Sequence, residues 1–144
     1  MSAQPIFERA AARAEEQGLA YAGAVTPQEA QALHAAGVAT IVDVRTRSEY
    51  EEVGRVAYTE LIEWRRDGQA QPDPAFAHRL LSRYRTDEAL LLICRSGVRS
   101  HYAAEVAAQA GFARVYNVLD GFEAGWRPSC RYSMTSTPGS PTTT

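Results

Sequence analysis

The sequence contains no lysine, so all 15 of its basic residues are arginines. They are outnumbered by 17 acidic residues, which gives a net charge of −2. Such a chain is not expected to bind nucleic acid, because that binding depends on a surplus of positive charge that displaces counterions from phosphates. The absence of lysine also means that any anion bound by a cationic side chain is bound by a guanidinium, which grips oxyanions bidentately.

Long apolar runs are also missing: the longest, from Ala89 to Cys94, is far below the ~20 residues that a membrane helix needs. The N-terminus shows no basic start followed by an apolar stretch, so neither a secretory signal nor a membrane partner is expected. Only two cysteines occur, Cys94 and Cys130, and we expect both to be reduced in a cytoplasmic protein. His34 and His78 have no partner at metal-ligand spacing, so we predict no metal site and no other cofactor.

The chain has the length of one domain with short flanks. We predict an N-terminal helical extension over residues 1–20, whose helix at residues 5–17 is peripheral. A folded domain is expected over residues 21–130. Residues 131–144 are predicted to be a disordered tail, because the final segment TSTPGSPTTT is of low complexity.

Segments that favour strands alternate with segments that favour helices. Short apolar or β-branched runs predict buried parallel strands at residues 40–44, 89–93 and 114–118, and a further strand is suggested at residues 56–58. Capping boxes and apolar spacing predict helices that begin near residues 27, 47, 74 and 100. In the third of these we expect an inward stripe of four apolar residues: Phe76, Leu80, Leu81 and Tyr84. The alternation predicts an α/β fold with a parallel sheet, and ligands of such folds lie at the carboxyl ends of the strands.

Cys94 ends an apolar strand and is followed by Arg-Ser-Gly-Val-Arg and a helix. If Gly97 is left-handed, the amides of residues 95–99 can point inward and form a cradle for an anion. The helix N-terminus and the charges of Arg95 and Arg99 favour a thiolate over a thiol. A cysteine in this position is often a small core residue, but two adjacent arginines fit poorly in a core. We therefore interpret Cys94 as a nucleophile that carries or attacks an anion.

These motifs resemble those of the rhodanese family. Residues 94–100 (CRSGVRS) follow residues 41–45 (IVDVR) and precede residues 115–119 (VYNVL) in the family's order, and the resemblance spans residues 25–126. It implies a rhodanese-like fold, in which a small parallel β-sheet is flanked by helices on both faces. It also implies that Cys94 forms a persulfide, and that the loop which wraps the sulfur and binds substrate consists of Arg95, Ser96, Gly97, Val98 and Arg99.

The resemblance assigns supporting roles to two residues at the end of the preceding strand motif. Asp43 is expected to organise the entrance of the site, and Arg45 is expected to buttress the loop. A purely structural alternative is that Asp43 caps the turn and that Arg45 pairs with Glu49.

The implied reaction is a double displacement. The Cys94 thiolate attacks the outer sulfur of thiosulfate or a similar small donor, sulfite leaves, and the persulfide passes its sulfur to cyanide or a thiol. The alternative is a persulfide carrier or interaction module with slow turnover, whose acceptor is a protein thiol. It is suggested by residues 54–59 (GRVAYT), which replace the family's Gly-His-Ile-Pro-Gly-Ala. A phosphatase or arsenate reductase is disfavoured, because the loop from Cys94 to Arg99 is one residue shorter than in cysteine phosphatases.

Three weaker candidates lie outside the loop. We expect His101 to be a helix-surface residue, although it could reach the edge of the pocket. Trp64, with Arg65 and Arg66, is expected in an exposed loop or in the core, and the alternative places it at the pocket. Cys130 is expected to be a bystander in the tail, and the alternative makes it a resolving thiol.

Overall fold

The structure, a computed structural model, describes residues 2–56 and 58–119 and the backbone of residues 132 and 133. Its elements follow in the order α1 (Ala3–Gln17), β1 (Gly23–Val25), α2 (Pro27–Ala35), β2 (Thr40–Asp43), a π-helical turn (Glu49–Val53), β3 (Arg55–Val56), β4 (Glu60–Leu61), α3 (Phe76–Arg83), β5 (Leu90–Ile93), α4 (Val98–Gln109), β6 (Val115–Val118) and β7 (Tyr132–Ser133). No helix in this part of the chain is long and apolar enough to cross a membrane. Cys130 and the predicted tail, apart from residues 132 and 133, lie outside the described residues.

Within the described residues, five strands form one parallel sheet in the order β1-β6-β5-β2-β4. The strands predicted at residues 40–44, 89–93 and 114–118 are confirmed to within one residue at each end, and they form the three central strands. The strand suggested at residues 56–58 is wrong in extent, because β3 ends at Val56 and pairs with β7 outside the main sheet. The edge strands β1 and β4 were not predicted, since strands of three and two residues carry no readable alternation.

The central strands are buried on both faces, and their side chains alternate between two cores. Leu90 and Leu92 of β5 belong to the core that contains side chains of α3 and α4. Leu91 and Ile93 belong to the opposite core, which contains side chains of α1 and α2. This two-residue alternation is that of a pleated strand covered on both sides, so the predicted fold class, a parallel sheet flanked by helices on both faces, is confirmed.

Helix α1 is part of the core, so the prediction that it is peripheral is wrong. Ile6 and Ala10 are completely buried, and the helix lies directly on β1. A Cβ atom added at Gly23 would lie 2.4 Å from the carbonyl oxygen of Ala10, so the strand needs glycine at this point. The burial of α1 is hard to predict from the sequence, because the close packing of α1 on β1 depends on small residues rather than on large apolar ones.

Glu29 connects α1 to α2. Its carboxylate accepts hydrogen bonds from Arg9 Nε at 3.0 Å and from Arg13 Nη1 at 2.7 Å, and it closes the capping box with the Thr26 N–H at 2.9 Å. Burial raises the pKa of Glu29, but the hydrogen bonds from Arg13, Thr26 and Arg9 outweigh this and lower it to about 2. The ionised carboxylate of Glu29 therefore links α1 to α2 in the folded protein.

We expect Glu29→Gln to lower the free energy of unfolding at pH 7 by about 1–3 kcal/mol, because both arginines lose their charged partner. Glutamine retains the acceptor that the Thr26 amide needs, so the loss reports on the ion pairs rather than on the cap. Urea denaturation followed by circular dichroism measures it. Glu16→Gln removes the same charge at an exposed position of α1 and is expected to cost no more than about 0.5 kcal/mol. Equal stability of the two variants would contradict the prediction.

Helix α3 begins at Phe76 and buries Phe76 and Leu80, as predicted. Tyr84 follows the helix and is partly buried against the same core. Leu81 is 45% exposed, so its predicted place on the inner stripe is wrong. Neighbouring residues of a helix differ in direction by about 100°, and the core can accommodate only one of the two adjacent leucines.

Candidate active site

Cys94 immediately follows β5 at the carboxyl edge of the sheet, between the ends of β2 and β6. Its side chain is buried, with 1% of the residue exposed. Gly97 has a φ of +96°, and α4 begins at the next residue, Val98. The predicted sequence of strand, tight loop with left-handed glycine, and helix is therefore confirmed.

Backbone amides point at the sulfur of Cys94. The Gly97 N–H lies 3.1 Å from Sγ, and the Ser100 N–H lies 3.4 Å from it. The hydroxyl oxygen of Ser100 is 3.3 Å from the same sulfur. Because these amides also form the N-terminal turn of α4, the positive end of the helix dipole adds to their effect. The two amides and the N-terminus of the helix stabilise negative charge on the sulfur.

Two buried polar side chains brace the loop, and the sequence analysis missed both. Ser100 Oγ donates to Oδ1 of Asn117 on β6, and Asn117 Nδ2 donates to the carbonyl oxygen of Gly97 at 3.2 Å. Ser100 is fully buried, and Asn117 is 5% exposed. The available signal was an asparagine in the middle of an otherwise apolar strand, where a buried amide requires partners.

Arg99 is held by Glu49. Its Nη1 and Nη2 atoms donate to Oε1 and Oε2 of Glu49 at 2.6 and 2.9 Å, a bidentate pair between the loop and the π-helical turn. Burial raises the pKa of Glu49, but hydrogen bonds from Arg99 and Thr46 lower it to about 2. The same hydrogen bonds to Glu49 raise the pKa of Arg99, and they outweigh its burial, which lowers it. The guanidinium is thus fixed in position and paired.

Asp43 and Arg45 form a buried ion pair at the end of β2. Arg45 Nε lies 3.0 Å from both carboxylate oxygens of Asp43, and its Nη2 donates to Asp43 Oδ2 at 2.8 Å and to the Gly54 carbonyl at 2.6 Å. Asp43 also accepts the Arg45 N–H at 3.0 Å, which confirms that it caps the turn. The part of the structural alternative that pairs Arg45 with Glu49 is wrong. Asp43 lies two residues away on the same side of an extended segment, and the Glu49 carboxylate binds Arg99.

We expect Glu49→Gln to remove part of the pH dependence of stability. Because folding lowers the pKa of Glu49 from 4.5 to about 2, its contribution is complete above about pH 4.5 and is lost as the pH falls towards 2. The variant should therefore be less stable than the wild type by about 2 kcal/mol at pH 7 and equally stable near pH 2. Urea denaturation at a series of pH values measures the difference. Glu52→Gln, an exposed change in the same turn, should show no such convergence, and a pH-independent difference for Glu49→Gln would contradict the prediction.

Trp64 and His101 are the two weaker candidates that lie within the described residues. Trp64 is buried, and its ring lies edge-on to that of Phe76 with 5.1 Å between the ring centroids, which confirms the interpretation of Trp64 as a core residue. His101 is a partly exposed residue of α4, and it also lines a cavity of about 340 Å³ together with Gly97 and Asn117. His101 thus lies at the partly exposed surface of α4, as expected, and the alternative that it reaches the edge of the substrate pocket stays a prediction.

The structure is thus an α/β protein with a parallel sheet, in which a buried cysteine at the end of a central strand lies beneath the amides of a short loop that opens a helix. Residues 26–127 match the Rhodanese-like domain family. The chain belongs to this family, and the resemblance inferred from its motifs is confirmed.

Individual relatives agree with this assignment. The chain is 34% identical to the uncharacterised protein RP600 of Rickettsia prowazekii over 104 residues, which cover 62% of this chain and 77% of that protein. It is 42% identical to the thiosulfate sulfurtransferase GlpE of Glaesserella parasuis over 48 residues, which cover 33% of this chain and 44% of that protein. The crystal structure of Rv0390 from M. tuberculosis superposes with a TM-score of 0.64 at 34% identity and covers 80% of this chain and 90% of that one. These matches support the assignment to the rhodanese-like family.

Proposed function

We propose that this protein is a sulfurtransferase, which moves sulfane sulfur from thiosulfate or a similar donor to cyanide or a thiol through a persulfide on Cys94. The observation that carries the proposal is the environment of the sulfur. Cys94 Sγ lies at the end of β5 with the amides of Gly97 and Ser100 directed at it, 3.1 and 3.4 Å away. The partial match to a named thiosulfate sulfurtransferase supports the choice of donor.

In the first half of the reaction, the Cys94 thiolate attacks the outer sulfur of thiosulfate. A new S–S bond forms at Sγ, the S–S bond of the donor breaks, and its electron pair leaves with sulfite. No general base is required if the thiolate is already formed, because amide donors and the N-terminus of α4 stabilise that charge.

In the second half, cyanide or a thiolate attacks the outer sulfur of the persulfide. The bond between the two sulfurs of Cys94-persulfide breaks, and its electron pair returns to Sγ as the thiolate, ready for another donor. The same amides serve both steps, because the first step starts from the thiolate at Sγ and the second step restores it.

The residues around Cys94 fall into two sets, one that meets the donor and one that supports the loop. Arg95, Ser96 and Val98 are exposed on the loop and are the residues that meet the donor, together with the backbone of Gly97. Arg99 holds the loop against the π-helical turn through Glu49. Asp43 and Arg45 pair at the end of β2, and Arg45 supports the segment after the π-helical turn by donating to the Gly54 carbonyl.

A second candidate function is a persulfide carrier whose acceptor is a protein thiol. Val98 and Tyr102, one helical turn apart at the start of α4, are 60% and 53% exposed. Large apolar side chains exposed side by side next to a reactive loop favour contact with another protein. Fast turnover with cyanide favours the enzyme, and rapid stoichiometric loading with slow turnover favours the carrier.

The proposal is tested by the intact mass of the protein after incubation with thiosulfate, followed by a cyanide chase. We expect a gain of one sulfur atom, located on the Cys94 peptide rather than on the Cys130 peptide. Cyanide should restore the original mass and release thiocyanate. If neither thiosulfate nor a small organic persulfide adds sulfur to Cys94, the proposed function is wrong.

A further inference from the structure

Ser100 and Asn117 form a buried connection between the sulfur of Cys94 and β6. Ser100 Oγ lies 3.3 Å from Cys94 Sγ and also bonds to Asn117 Oδ1, while Asn117 Nδ2 donates to the Gly97 carbonyl at 3.2 Å. The side chains of Ser100 and Asn117 have no part in the sulfur transfer described above. Ser100 nevertheless contacts the reacting sulfur, and buried polar groups next to a sulfur that can lose its proton affect the charge on that sulfur.

The hydrogen bonds determine where the proton of the Ser100 hydroxyl lies. The Gly97 carbonyl can only accept, so the Asn117 amide must present Nδ2 to it and Oδ1 to Ser100. Since Oδ1 can only accept, the hydroxyl donates its single proton to Asn117. The remaining contact, between Ser100 Oγ and Cys94 Sγ, is then a hydrogen bond only if the thiol donates.

Loss of the thiol proton conflicts with this arrangement. A thiolate can only accept, so it faces a lone pair of Ser100 Oγ unless the hydroxyl leaves Asn117 and turns to the sulfur. The sulfur and Asn117 therefore compete for one proton. We infer that Asn117 is a positioning residue that holds the Ser100 hydroxyl away from Cys94 and so raises the pH at which the sulfur becomes reactive. It opposes the loop amides and limits thiolate formation in the resting protein.

Several other charged and titratable groups surround this connection. On the loop side these are the Asp43–Arg45 pair, the Glu49–Arg99 pair and Arg95. Behind Asn117, the Tyr21 hydroxyl lies 2.7 Å from His101 Nδ1, and His101 Nε2 lies 3.4 Å from Glu105. Because His101 is the histidine in this group, the measurements below are repeated with His101→Gln.

The test measures the rate of alkylation of Cys94 by iodoacetamide as a function of pH, in a Cys130→Ser background that leaves a single thiol. We expect Asn117→Ala to lower the midpoint by about one pH unit, which corresponds to one hydrogen bond to a charged group. Val118→Ala is the control, because it is the adjacent change on β6 with its side chain in the opposite core, and its midpoint should not move.

A double variant tests whether Asn117 acts through Ser100. Ser100→Ala with Asn117→Ala should have the same midpoint as Ser100→Ala alone, since no hydroxyl remains to be released. An unchanged midpoint in Asn117→Ala would overturn the inference. So would a shift equal to that of Val118→Ala, a shift that persists without Ser100, or a shift that disappears with His101→Gln.

The S–H stretching band in the infrared gives a second test that does not depend on the stability of Asn117→Ala. At a pH where the thiol is intact, Ser100→Ala should move the band of Cys94 to higher frequency, because the thiol loses its acceptor. An unchanged band would overturn the proton assignment. The inference rests on the proposed function in treating Cys94 as the nucleophile, but neither measurement uses a sulfur donor. Failure of one is therefore distinguishable from failure of the other.

Discussion

Cys94→Ser is expected to reduce thiosulfate-dependent formation of thiocyanate to the uncatalysed rate, a loss of at least about 10³-fold. The double displacement requires a nucleophile that forms an S–S bond and then leaves as a stabilised anion. A serine hydroxyl does neither, because it stays protonated at neutral pH and forms no persulfide. The measurement is the initial rate of thiocyanate release at saturating thiosulfate and cyanide.

The substitution is suited to this test because it should leave the fold intact. Serine is close in size to cysteine, and its hydroxyl can accept from the amides of Gly97 and Ser100 that contact the sulfur. Thermal unfolding of the variant should therefore resemble that of the wild type. Cys130→Ser is the matched control and is expected to retain its rate. Sulfur transfer by Cys94→Ser at a rate comparable to that of the wild type would place the nucleophile elsewhere and overturn the proposed function.

The candidate loop could be predicted from sequence because its parts are contiguous. The strand end, left-handed Gly97 and the start of α4 are all encoded between residues 90 and 98, and local geometry brings the amides to Cys94. The capping role of Asp43 is equally local, since the aspartate bonds the amide two residues further on. In both cases, residue type and spacing are sufficient.

The partners of the loop could not be predicted, because they are distant in sequence. Arg99 and Glu49 are 50 positions apart, and Ser100 and Asn117 are 17 apart. Before the order of strands is known, nothing assigns Glu49 to Arg99 rather than to the nearer Arg45. The alternative that paired Arg45 with Glu49 chose the partner nearer in sequence. In the fold, β2 lies next to β5, and Glu49 after β2 pairs with Arg99 after β5.

The fold shows the same division. The three central strands have four residues each, most of them apolar or β-branched, and were predicted, whereas β1 was not. Its place is defined by α1, whose Ala10 carbonyl comes close enough to exclude any side chain at Gly23. That contact depends on tertiary packing between small residues, and no hydrophobic periodicity reports it.

Arg45→Met is expected to lower the free energy of unfolding by about 3–5 kcal/mol, the largest stability loss predicted for a single change in this chain. Arg45 and Asp43 are 1% and 2% exposed, so removal of the guanidinium leaves a carboxylate in the protein interior without its cation. The change also removes the hydrogen bond from Nη2 to the Gly54 carbonyl, which ties the end of β2 to the segment after the π-helical turn. Urea denaturation at pH 7 measures the loss.

A second substitution separates the cost of the uncompensated charge from the cost of lost packing. Adding Asp43→Asn to Arg45→Met should restore about half of the lost stability, because the buried charge is then absent while the acceptor for the turn amide remains. Arg47→Met, at an exposed arginine two residues further on, is expected to cost no more than about 0.5 kcal/mol. If the double variant is no more stable than Arg45→Met alone, the ion pair does not act through its charge, and Arg45 stabilises the end of β2 by packing and by its bond to Gly54.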